Sequence, residues 1–139
     1  MNMNTNAAQH TSDDLYRPIN YASADGISGF LKLPFVFRDP SKRRPAPGTN
    51  WSIPAPGTHT YTEACEVGRA YAIHFAQYLK DNPEMAGDNS LGHVAEDVDF
   101  SDKEQSGYWV GFFSLLGELI AMGADRVDLT AQLQRRRHD

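Results

Sequence analysis

The segment that most constrains this chain is the run from Tyr108 to Ala124, seventeen residues in which Glu118 is the only charge. A helix that is apolar on nearly every side must be covered by protein or by lipid. A membrane span usually needs about 20 residues and no central charge, so the run reads as a core or subunit-interface helix. Ser101 and Glu104 stand at the spacing of a capping box before it, and Gly123 is placed to close it in a left-handed cap, which predicts a helix over 102–122. Gly107, Gly111 and Gly117 each cost up to about 1 kcal/mol relative to alanine inside a helix. Close approach of a neighbour is the expected compensation, with Gly107, Gly111 and Ser114 lining one side.

A natural neighbour lies upstream. Thr60 and Glu63 spell another capping box, and Asp81-Asn82-Pro83 forms a stop, which predicts a helix over 60–80. Ala64, Val67, Gly68, Tyr71, Ala72, Phe75, Ala76, Tyr78 and Leu79 share one face, while Glu63, Glu66, Arg69, Gln77 and Lys80 lie opposite. Small residues recur every four positions at Ala64, Gly68, Ala72 and Ala76, a second sign of close crossing. The acidic connection, Met85 to Phe100, predicts one short turn of helix at Leu91 to Asp97. After Gly123, Val127, Leu129 and Leu133 recur at near-helical spacing, with Arg135, Arg136 and Arg137 placed to complement the helix dipole.

The amino-terminal side is of another kind. Residues 1–14 hold three Asn and no aromatic or branched apolar side chain, and are read as a disordered tail. Residues 15–58 form an irregular, partly extended arm. Phe30, Leu31, Leu33, Phe35, Val36 and Phe37 surround Pro34, as in short strands or a clasp laid over helices. Prolines then dominate, and the pentapeptide Pro-Ala-Pro-Gly-Thr occurs at Pro45–Thr49 and again at Pro54–Thr58, with Trp51 and Ile53 between as apolar anchors. Lys42, Arg43 and Arg44 beside it would suit a proline-rich ligand, although a pinned spacer is the plainer reading. The expected fold is therefore mainly α: an antiparallel helical hairpin core with a short closing helix in a domain over 59–139, preceded by the arm.

Neither a secretory nor a transit pattern opens the chain, so a cytoplasmic address is expected. Cys65 is the only cysteine, which rules out an internal disulfide or a cysteine metal cluster and fits a packed thiol. The net charge of −5 argues against direct binding to nucleic acid. Seven acids lie between Glu84 and Glu104 (Glu84, Asp88, Glu96, Asp97, Asp99, Asp102, Glu104) against a single Lys103.

Phosphate loops, a nucleophile elbow and kinase signatures are missing. Asp97, Asp99 and Ser101 resemble the start of a calcium loop, but Asp102 and Tyr108 stand where that loop requires glycine and glutamate. No cofactor and no metal are expected. The reading is a non-enzymatic, partner-binding or regulatory accessory protein, acting through the aromatic helical face of Tyr108, Trp109, Phe112 and Phe113 and expected to form homo-oligomers with no membrane contact. Glu118 is the sharpest single residue in that face, because burial would raise its pKa. One alternative makes Glu96, Asp97, Asp99 and Asp102 a mimic of DNA phosphates directed at a DNA-handling protein. The other is a metal-dependent hydrolase built on His93, Glu96, Asp97 and His74.

Overall fold

The computed structural model describes residues 15–38 and 49–137. Within them the chain is mainly α. Its elements are α1 (Ile27–Phe30), strands β1 (Val36–Arg38) and β2 (Thr49–Trp51), α2 (Tyr61–Asp81), a 3₁₀ turn (Pro83–Asp88), α3 (Ser90–Glu96), α4 (Ser106–Ala124) and α5 (Leu129–Arg137). The expected tail 1–14, the Lys42–Arg44 knot and most of the first pentapeptide lie outside the described residues.

Helix α2 starts as its sequence dictates. The Thr60 hydroxyl accepts from the Glu63 amide, and the Glu63 carboxylate accepts from the Thr60 amide. Its end does more than stop. Asn82 is buried, and its amide nitrogen donates to the Tyr21 and Tyr78 carbonyls while its oxygen accepts from the Ser23 amide. Asp81 accepts from the Tyr21 amide. The helix stop is thus also the staple that holds the amino-terminal arm.

The arm packs on the helices as a clasp. Tyr21, Phe30, Leu33, Phe35 and Val36 are buried in the same cluster as Val67, Tyr71, Phe75 and Tyr78. Phe35 lies at its centre, its ring 5.2 Å from Tyr71, 5.4 Å from Phe112 and 6.0 Å from Trp109. Burying each such side chain contributes about 1.5–3 kcal/mol, which offsets the entropy of ordering an arm with little regular structure. The ladder β1–β2 is antiparallel, with Val36 opposite Trp51. Trp51 and Ile53 pack against the core as the anchors expected, and Gly57 (φ 88°) turns the second pentapeptide toward α2.

Helices α2 and α4 make the most extensive contact in the fold, and it runs through the small residues. A methyl group built on Gly68 would lie 1.8 Å from the Tyr108 carbonyl oxygen, and one on Gly111 2.0 Å from that of Cys65. Gly107 faces Ala64 and Tyr61. The contacts rise together along both helices, Ala64 with Gly107, Cys65 with Gly111 and Gly68 with Phe112, and the two amino ends share one cleft. The close crossing therefore stands, and with it the expected helical hairpin core with its short closing helix. Residues 82–105 make this possible. A helix of 21 residues is roughly 30 Å long, and an extended chain advances about 3.3 Å per residue, so this connection is long enough to return to the start.

Two further expectations change. Ser101 does not cap α4; that helix begins at Ser106, with no side-chain cap. Asp99 and Asp102 instead fold the preceding turns, Asp99 accepting from the Ser101 amide and hydroxyl and Asp102 from the Glu104 amide. Gly123 is helical rather than left-handed, and α4 runs on to Ala124. The short helices expected around residues 91–97 and 125–137 form as α3 and α5.

Candidate functional site

The aromatic residues expected to face a partner turn inward. Tyr108, Trp109 and Phe112 are buried, and Phe113 is half-buried against Phe100, ring to ring at 5.8 Å. The indole of Trp109 donates to the Gln105 side chain at 2.8 Å, so the ring is satisfied inside the fold. The Tyr108 hydroxyl meets His59 Nδ1 at 2.8 Å, and burial raises its pKa. These residues are core because the clasp residue Phe35 and strand residue Trp51 cover the face that the helix pair alone would leave bare.

Glu118 lies outside that core. It is exposed and pairs with the guanidinium of Arg69, whose charged form it favours. Solvent screens such a pair, so it contributes little to stability. The pair joins α4 to α2 through charged side chains.

The acids are dispersed rather than focused on one site. Glu96 is exposed and 3.8 Å from His93, and Asp97 is half-buried. Hydrogen bonds from the Ser101 hydroxyl and amide hold the Asp99 carboxyl below the usual range. His74 is not brought to His93, Glu96 and Asp97. It is buried, with Nδ1 2.9 Å from the Tyr21 hydroxyl and Nε2 2.7 Å from the Leu15 carbonyl. Among the described residues, no three His, Cys, Asp or Glu side chains are grouped so as to hold a metal ion.

What the sequence did not disclose is the fate of the far half of α4. By length and composition α4 is the one described helix that could cross a membrane. Its first half is instead committed to protein, with Gly107, Tyr108, Trp109, Gly111 and Phe112 all buried. Beyond Glu118 the cover ends. Ile120 is 68% exposed and Met122 67%, and in the segment that follows Leu129 is 56% and Leu133 73% exposed. No residue of α5 is buried. These large apolar side chains follow one another along the chain from 120 to 133 and are left in water. Comparison with family models, curated proteins and solved structures finds no match to this chain.

Proposed function

We propose that this is a non-enzymatic accessory protein that acts by binding a protein partner, and that the surface it uses is the distal half of α4 together with α5. The observation that carries the reading is the division of one helix: apolar throughout, packed as far as Phe112 and bare at Ile120 and Met122. Leaving that area in water forgoes about 25 cal/mol per Å² of apolar surface, a gain that a partner would recover. The buried aromatics hold the helix at its root and so present the bare end rigidly, which lowers the entropy lost on binding. Asp99 and Asp102 serve local turns and Glu96 faces His93, which favours this surface over phosphate mimicry by the acidic stretch.

A photo-crosslinking side chain at position 120, compared with one at Lys80 on the exposed face of α2, tests the reading in the native host. A discrete adduct from position 120 and none from position 80 is expected. No adduct at position 120, or equal adducts at both, overturns it.

A further inference from the structure

The bare helix α5 carries a pattern of its own. It has nine residues and buries none of them, and it shares no extensive contact with any other element. Isolated helices shorter than about 12–15 residues are marginal in water, so α5 needs a surface to lie on. Its sequence describes that surface. Leu129 and Leu133, four apart, form an apolar stripe, and Arg135, Arg136 and Arg137 make the last turn cationic. Asp128 is spent locally, its carboxylate accepting from the Ala131 amide. The complement lies on the same chain. Between residues 84 and 104, Glu84, Glu96, Asp99 and Glu104 are exposed with a single Lys103, and among them Leu91 (38%) and Phe100 (53%) are bare apolar side chains.

Resting on the binding-surface reading above, we propose that the partner is a second copy of this chain, in a symmetric dimer where α5 of each copy lies on the acidic 84–104 surface of the other. Two like patches joined by a two-fold axis close the assembly, so neither the basic stripe nor the acidic surface is left to propagate a fibre. Leu129 and Leu133 supply the apolar contact and the arginines its register and sign. The two-fold relation also hides the distal half of α4, which joins α5 to the packed part of its own copy.

Charge exchange in the full chain tests this, read by light scattering. The wild type is expected at twice the chain mass, with dissociation promoted by salt. Arg135→Glu, Arg136→Glu and Arg137→Glu together should weaken dimerisation by roughly ten-fold or more. Glu96→Lys, Asp99→Lys and Glu104→Lys together should do the same, and the two sets combined should restore the dimer. Circular dichroism of each variant separates a lost contact from a lost fold. If the acidic-surface set alone fails to fold, crosslinking from position 133 to residues 84–104 of another copy decides in its place. A monomeric wild type, failure of the combined variant to recover, or arginine-dependent binding of the monomer to anionic vesicles overturns the proposal. A position-120 adduct whose mass is not that of this chain also overturns it, while leaving the binding-surface reading intact.

Discussion

At the scale of single residues, the arm is held by polar groups that a helix-and-strand pattern does not register. Tyr21 and His74 illustrate this. A carbonyl oxygen only accepts, so His74 Nε2 donates to Leu15 and Nδ1 accepts a hydrogen bond from the Tyr21 hydroxyl. Together with Asn82 they tie residues 15–23 to α2 over some 60 positions of sequence. Tyr21→Phe keeps the ring in its slot and leaves a buried imidazole nitrogen without its donor, which costs about 1–3 kcal/mol. Urea denaturation of the two proteins measures it. Equal midpoints would mean that the hydroxyl contributes nothing and that the clasp is held by packing alone.

At the scale of elements, glycines inside and outside the contact of α2 with α4 should respond in opposite ways. Gly68→Ala places a methyl group on the Tyr108 carbonyl oxygen, a backbone atom that cannot swing aside, and should destabilise by about 1–3 kcal/mol despite the better helix propensity of alanine. Gly117→Ala meets nothing within 4 Å and should stabilise by up to about 1 kcal/mol. Denaturation midpoints moving in the same direction would refute the close crossing at Gly68. What the sequence discloses follows the same division between local and distant. The Thr60–Glu63 cap, the stop at Asn82 and the small-residue contact at Gly68 and Gly111 depend on neighbours along one helix, and all were legible. The path of residues 82–105 was less legible, because no periodicity records it and its caps fall at other residues than the spacing suggests. Inward and outward faces of α4 were equally opaque, because a helix apolar all round gives no angle by which to tell the side covered by Phe35 from the end covered by nothing.

For the whole molecule, the division is between a packed body and a projecting end, and the titration of tyrosine reports on the first. Burial raises the pKa of Tyr21, Tyr71 and Tyr108, all three of which lie in the aromatic body and none in distal α4 or α5. In the unfolded chain a phenol ionises near 10. The folded state therefore keeps protons that the unfolded state loses, and stability that is fully present below about pH 10 falls as the pH rises above it. The urea midpoint should be level between about pH 8 and 9.5 and then decline, with the phenolate absorbance of the buried rings appearing together with unfolding rather than before it. Tyr21→Phe lowers the midpoint at neutral pH but should make the alkaline decline shallower, because one of the linked protons has been removed. A decline of unchanged slope in that variant, or phenolate appearing while the fold is intact, would place Tyr21 in contact with water and undo the description of the clasp as a sealed part of the core.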